Sequence, residues 1–213
     1  MEALLEVGPL GFSTAGKKLF EGVFLHLYPG DFVHLKGPSG SGKTTLLRQV
    51  VGLEPSGAKR FLKGKPYTLG EMARFRTHCL YLAPEAPAFE GTVEENLLFP
   101  FRFRNNQGKV ARDPQGLLKR LGLKISLKSP AVSLSTGERQ RLALARALLF
   151  DPDIILADEP FSALDEENFK RAFELLYTFA QRAGKAVLCV SHGELPRRTR
   201  ALLLARGELK ELP

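Results

Sequence analysis

Short apolar runs bounded by turn residues alternate along this chain with longer stretches whose apolar positions recur every three or four residues. The first pattern predicts strands and the second predicts helices with one buried stripe. Residues 23–28 and 32–36 are apolar runs on either side of the turn signal Pro29-Gly30-Asp31. Helical spacing follows over 43–51, Pro55-Ser56-Gly57 interrupts it, and strand character returns near 60–62 and at 78–82. The texture then changes. Pro84, Pro87 and Pro100 punctuate a region with helical stretches at 116–121 and 137–150 and little strand character. Residues 154–157 read as strand again. Residues 166–182 form a helical pattern with the stripe Phe169, Phe173, Leu176 and Phe179, which marks a core face. A strand at 186–190 is followed by two runs, 201–205 and 208–212, that close a hairpin around Arg206-Gly207. Strands interleaved with helices predict an α/β fold with a largely parallel sheet. Residues 1–83 and 151–213 form its core, and 84–150 a helical region inserted into it.

A length of 213 residues suits a single domain with one inserted subdomain. With 44% hydrophobic and 25% charged residues the composition is that of a folded globular protein. No apolar stretch approaches the ~20 residues that cross a bilayer. The opening Met1-Glu2-Ala3-Leu4-Leu5-Glu6 lacks the basic flank and apolar core of a signal peptide. Cys79 and Cys189 sit inside apolar runs and read as buried thiols of a reducing compartment, so a cytoplasmic location is expected. The formal net charge of +8 is compatible with nucleic acid, an acidic membrane surface or a plain solvated face. The basic residues are scattered, with small clusters at Arg102/Arg104 and Arg197-Arg198-Thr199-Arg200, and lack the aromatic interleaving of an RNA-binding module. A solvated face near an acidic membrane or partner is therefore favoured, and no nucleic-acid partner is expected.

The chemistry concentrates in Gly37-Pro38-Ser39-Gly40-Ser41-Gly42-Lys43-Thr44, with Thr45 next in line. This spacing is that of a P-loop, a glycine-rich turn whose inward N–H groups wrap the phosphates of a nucleotide at a helix N-terminus. Lys43 is expected to reach the β- and γ-phosphates, and the Thr44 hydroxyl to ligate Mg²⁺. The strand 154–157 ends in Asp158-Glu159. Adjacent acids at a strand end are also common as surface charge. Beside a P-loop they read as a pair in which Asp158 organises Mg²⁺ and Glu159 serves as general base toward the attacking water. His192 follows the strand 186–190, at the strand end where parallel α/β proteins place active residues, within expected reach of the γ-phosphate. Leu134-Ser135-Thr136-Gly137-Glu138 opens the helix 137–150, with Ser135 a good N-cap and Gly137 permitting close approach. One chain thus carries two phosphate-binding devices.

The P-loop, residues 134–138, 154–159, Ser162-Ala163-Leu164-Asp165 and His192 stand in an order that resembles the ATP-binding subunits of ABC transporters, over nearly the whole chain. That resemblance implies a P-loop NTPase fold with a RecA-like core, an antiparallel β portion and a helical subdomain. It implies an ATPase with ATP and Mg²⁺ as cofactors that drives transport as a head-to-tail homodimer, two ATPs lying at the interface. Ser135 and Gly137 would then contact the partner's γ-phosphate, Asp165 would link the two sites, and Phe12 would fall where an aromatic residue stacks on adenine. An integral membrane permease subunit would receive the motion through residues 89–104, which places the chain peripherally at the inner face of the membrane. Within the family, residues 81–100 are most similar to the small subunits assigned to iron export, so a metal ion such as iron is the expected cargo.

Two departures stand out. Family members usually carry glutamine where this chain has Pro84, which offers no side-chain donor or acceptor. The expectation is that water or Glu85 completes the Mg²⁺ shell and that the hinge is stiffer. Thr136 stands where glycine is commonest and adds a branched side chain at a tight approach. A rival reading, a soluble ABC-type ATPase acting on DNA or ribosomes, would typically carry coiled-coil, zinc or tandem-domain insertions. A small P-loop kinase would have no use for the Ser135 loop.

Overall fold

The strands that carry the candidate residues are apolar on both faces because both faces are covered. In the strand Ile154–Asp158, Ile154 and Leu156 face one core cluster while Ile155 and Ala157 face another, and all are fully buried. Alternation with a period of two makes this an obligatory consequence of a sheet sandwiched between layers. The computed structural model of the chain describes residues 2–14, 16–85, 87–106 and 111–213.

Two sheets organise the core. An antiparallel sheet contains β1 (Leu5–Thr14), β2 (Lys17–Leu27), β4 (Lys59–Leu62) and β5 (Lys65–Tyr67), in the order β2-β1-β4-β5. The second contains β3 (Phe32–Lys36), β6 (Cys79–Leu82), β7 (Ile154–Asp158), β8 (Ala186–Val190), β9 (Arg200–Ala205) and β10 (Glu208–Leu212). Its order is β10-β9-β3-β8-β7-β6, parallel throughout except for the closing β9–β10 hairpin. The turn Pro29-Gly30-Asp31 therefore does not join neighbouring strands. It carries the chain from one sheet to the centre of the other, with Asp31 accepting from the Tyr28 N–H at 2.9 Å.

Among the described residues there are six α-helices, besides short 3-10 turns: α1 (Lys43–Val50), α2 (Met72–Phe75), α3 (Val93–Leu98), α4 (Pro114–Arg120), α5 (Thr136–Phe150) and α6 (Glu166–Ala180). Helix α1 packs between the two sheets, with Leu46, Leu47 and Val50 buried in the same cluster as Val33, Leu35, Leu156 and the antiparallel strands. Its C-terminal end is closed by Arg60 of β4, a fully buried arginine. The Arg60 guanidinium donates to the carbonyls of Val50 (2.9 Å), Gln49 (2.5 Å) and Ala58 (2.8 Å) and to Ser56 Oγ (2.8 Å). Carbonyls at a helix end have no partner within the helix, so a fork of donors there satisfies several at once. Helices α5 and α6 cover the opposite face, where Phe173, Leu176 and Phe179 bury the stripe expected for α6. Between Pro84 and Phe150 the described residues form helices and turns, with the isolated bridge Thr92–Pro130 as their one strand-like pairing.

Four of the labelled elements, β1, β5, α2 and α3, go beyond what the apolar pattern predicts. In β1 the breakers Gly8, Pro9 and Gly11 interrupt the run, and the sheet absorbs them with register shifts between Val7 and Leu10 and between Leu10 and Phe12. Helix α3 has six residues, too few for periodicity to register, yet Thr92 and Glu95 form a complete capping box at its start.

Candidate active site

Parallel register brings the ends of β3, β7 and β8 to one edge, since Leu35 lies opposite Val190, and Val190 opposite Asp158. From that edge β3 runs into the phosphate loop, β7 delivers Asp158 and Glu159, and β8 leads through Ser191 to His192. His34 of β3 fastens this last segment, its Nε2 lying 3.1 Å from the Ser191 carbonyl oxygen.

The phosphate loop packs tightly against the hairpin strand beside it. A Cβ on Gly37 would sit 2.3 Å from the Leu204 carbonyl oxygen and 2.9 Å from Ser41 Oγ, so only glycine fits. Gly42 caps α1 in a left-handed conformation (φ 95). Lys43 folds its ammonium back over the loop, donating to the carbonyls of Gly37 (2.9 Å) and Pro38 (3.1 Å). A cation parked on backbone carbonyls at the mouth of an amide-lined loop is poised for an anion. Thr44 and Thr45 follow, half-buried, in the first turn of α1, and Ser41 Oγ is buried without a partner. The adjoining cleft, about 300 Å³, is lined by Lys18, Leu19, residues 38–41, Arg206 and Gly207. Phe12 is half-buried on β1 against the core, and Leu19 is the apolar side chain in the cleft lining.

The two acids at the end of β7 have different surroundings. Asp158 is 1% exposed; its Oδ2 accepts from the Tyr81 hydroxyl at 2.9 Å, and its Oδ1 is buried without a partner. Glu159 is partly exposed, and its Oε1 lies 3.0 Å from His192 Nε2. The Glu159 backbone is left-handed (φ 50), costing a non-glycine residue about 1–2 kcal/mol. Hydrogen bonds hold it: its own N–H donates to the Val190 carbonyl (3.0 Å), and its carbonyl accepts from Gln140 Nε2 (2.9 Å), Ser162 Oγ (3.2 Å) and the Ser162 N–H (3.4 Å). An acidic cleft of about 480 Å³ opens beside Glu159 and His192, with Glu166 and Glu194 on its wall.

Ser135 caps α5, and Glu138 returns the bond to the Ser135 N–H at 2.9 Å. These hydrogen bonds hold the Glu138 carboxyl below its ordinary value. Gly137 is needed for packing, since a Cβ there would meet the Ala163 carbonyl oxygen at 2.7 Å. Asp165 caps α6, accepting from the Asn168 N–H and Nδ2, each at 2.8 Å. Pro84 is half-buried and Glu85 exposed. The Cys79 and Cys189 thiols are buried in β6 and β8, and burial pushes both up.

Three residues that the motifs do not flag hold this arrangement together. Gln140, buried on α5, donates to the Glu159 carbonyl and Ser162 Oγ and accepts from the Ala163 N–H. Arg146, further along α5, donates to the Asn96 carbonyl (2.9 Å) and lies over the Phe89 ring, and burial pulls its guanidinium down to about 10. Tyr81 of β6 donates to Asp158 Oδ2, and burial is the main cause that pushes its phenol up to about 12.

A family model described as ABC transporter matches residues 20–162. The chain belongs to the ABC transporter family. Among curated relatives it is 34% identical over 194 residues to the "probable iron export ATP-binding protein FetA" of Escherichia coli (strain K12), covering 89% of this chain and 84% of that one. It is 38% identical over 197 residues to the lipoprotein-releasing system ATP-binding protein LolD of Acinetobacter baylyi, covering 85% and 84%. Among solved structures, the dimeric post-hydrolysis state of the ATP-binding cassette MJ0796 bound to ADP and Pi superposes with a TM-score of 0.79 at 26% identity, covering 98% of this chain and 99% of that one. As an ABC ATPase domain the chain has the P-loop NTPase fold and hydrolyses ATP.

Proposed function

We propose that two copies of this chain bind two ATP molecules between them, head to tail, and drive an ABC transporter through the closing and opening of that dimer. The observation that carries the reading is the separation of the two anion-binding devices. The cleft at the phosphate loop is lined by residues of β2, the loop itself and the β9–β10 turn, whereas Ser135 and Gly137 cap α5 beside the Ser162–Leu164 turn. The exposed Ser135 end of α5 then has its use against the nucleotide of a second copy, with Asp165 nearby at the start of α6. The dimeric MJ0796 cassette supports this arrangement.

The donor set fits Mg²⁺. Among the described residues no cluster of three or more histidine, cysteine or acidic side chains is arranged to hold a metal by itself. The unpartnered, buried Asp158 Oδ1 and the Thr44 hydroxyl suit a cation completed by phosphate oxygens and water. Mg²⁺ there would draw off charge that builds on the phosphates. Lys43 and the loop amides hold the phosphates in place. Glu159 accepts a proton from water, and His192, bonded to Glu159, keeps that carboxylate aimed and lies toward the γ-phosphate. Phe12 would stack on adenine.

No helix among the described residues is long and apolar enough to cross a membrane. A permease partner would hold the chain at the inner face of the membrane and would dock on residues 89–104. There Phe89 and Phe103 are 39% and 52% exposed, and a cavity of about 490 Å³ opens between Phe101, Leu117, Leu149 and Phe179. The likeness to FetA points to a metal ion such as iron as cargo and that to LolD points to lipoproteins; co-purification of the permease decides between them.

Glu159→Gln tests the reading. With Mg²⁺ and ATP the variant is expected to elute as a stable dimer while hydrolysis falls by about 10²–10⁴-fold. Parental hydrolysis would remove Glu159 as base, and a monomer at saturating ATP would remove the shared site.

A further inference from the structure

Tyr81 stands on β6 opposite Leu156 of the neighbouring strand, two residues before Asp158. Because side chains alternate, Tyr81, Leu156 and Asp158 share the face of the sheet on which α1 packs. The phenol has a single hydrogen, and it is donated to Asp158 Oδ2, 2.9 Å away. From α1, the charge of the Arg48 guanidinium acts on both Tyr81 and Asp158. One oxygen of a buried carboxylate is thus held by a donor from the neighbouring strand. The other oxygen, Oδ1, is buried and has no partner. Three residues beyond Tyr81 comes Pro84, whose side chain can make no polar contact.

We propose that Tyr81 is a positioning residue for cation binding: its hydroxyl fixes Asp158 so that Oδ1 alone faces the cation accompanying the triphosphate. The inference rests on the reading of Asp158 as a cation ligand. A carboxylate held at one oxygen keeps a single orientation, whereas one with two dry oxygens turns toward whatever donor is nearest, Arg48 included. The cation then has to recapture it.

Tyr81→Phe removes one oxygen and keeps the ring. Binding of a fluorescent ATP analogue is measured in EDTA and across a Mg²⁺ titration, with thermal melting alongside, for the parent, Tyr81→Phe, Arg48→Met and Asp158→Asn. Tyr81→Phe is expected to bind nucleotide in EDTA like the parent while the Mg²⁺ midpoint rises about tenfold. Arg48→Met, which keeps the phenol and removes the neighbouring charge, raises it by a smaller factor. Asp158→Asn loses the Mg²⁺-dependent gain. If Asp158→Asn loses the gain but both other variants keep the parental midpoint, Tyr81 has no positioning role and the reading of Asp158 stands. A lower midpoint in Tyr81→Phe, or binding weakened equally in EDTA, also overturns the proposal. Retention of the gain in Asp158→Asn removes both.

Discussion

Replacing Gln140 with methionine tests whether the backbone of Glu159 is held from α5. Methionine keeps the length and approximate volume of glutamine without its amide, so the buried slot stays filled. Three hydrogen bonds are lost: Nε2 to the Glu159 carbonyl (2.9 Å), Nε2 to Ser162 Oγ (3.1 Å) and the Ala163 N–H to Oε1 (2.9 Å). Ser162 Oγ keeps a bond to the Glu159 carbonyl at 3.2 Å, so the loss falls mainly on the Ala163 N–H and part of the Glu159 carbonyl. At about 1 kcal/mol for each bond, and somewhat more for a donor left dry, the variant is destabilised by about 2–3 kcal/mol.

The effect on rate follows from the left-handed backbone of Glu159 (φ 50). Three bonds of about 1 kcal/mol each, from Gln140 and Ser162 Oγ and to Val190, oppose about 1–2 kcal/mol of strain. With one bond gone the balance in favour of the native conformer falls from about 1–2 to about 0–1 kcal/mol, and its population from roughly 85–97% to roughly 50–85%. Steady-state phosphate release should show kcat lowered by about 1.1- to 1.7-fold with KM for ATP unchanged, measured well below the melting temperature. Urea denaturation followed by circular dichroism gives the stability. A folded variant with lowered stability whose kcat rises, or falls by more than about threefold, would refute this coupling, and one with parental stability would refute the hydrogen-bond accounting.

Arg60→Met removes the fork that closes the C-terminal end of α1, leaving the carbonyls of Gln49, Val50 and Ala58 buried without it; a loss of about 3 kcal/mol in urea denaturation is expected, and a loss below about 1 kcal/mol would show that relaxation or water replaces the guanidinium. At Asp153, burial pushes the carboxyl up, but hydrogen bonds from His78 and Lys63 outweigh it and bring it down to about 2. A depressed folded value stabilises above the unfolded value of about 3.9, and that contribution is lost as pH falls through the folded one. The lead in stability of the parent over Asp153→Asn, at most about 2.5 kcal/mol, should therefore shrink between about pH 4 and pH 2, and a lead that is flat over that window would exclude the linkage.

What was legible in the chain was whatever depends on neighbours in sequence. The phosphate loop is one continuous segment, so its spacing announces it, and β3, β7 and β8 are unbroken apolar runs because they are buried on both faces. The same locality explains Ser135 and Asp165, whose caps reach only three residues ahead. Contacts made by folding were illegible. Gln140 reaches Glu159 across 19 residues and Tyr81 reaches Asp158 across 77. Neither distance leaves a mark in periodicity, and a tyrosine inside an apolar strand reads as core. β1 was hidden for a different reason: its Gly8, Pro9 and Gly11 carry loop propensity that pairing to β2 and β4 overrides.

The two consecutive acids show why those long-range bonds matter for chemistry. Asp158 and Glu159 begin as equivalent carboxylates on adjacent residues, and identical environments would suit them to identical tasks. Asp158 is the last residue of a buried strand, so its side chain is enclosed, with one oxygen held by Tyr81 and the other left dry. A dry carboxylate oxygen is costly unless something positive arrives, which suits a cation ligand. Glu159 comes after the strand ends, and its left-handed turn swings the carboxylate out to the cleft it shares with His192. There water can approach it, as a proton acceptor requires. One backbone turn thus divides the pair into two environments, and Gln140 helps to hold that turn. Different roles for like groups arise here from surroundings, with the bonds to Tyr81 and Gln140 keeping the surroundings distinct.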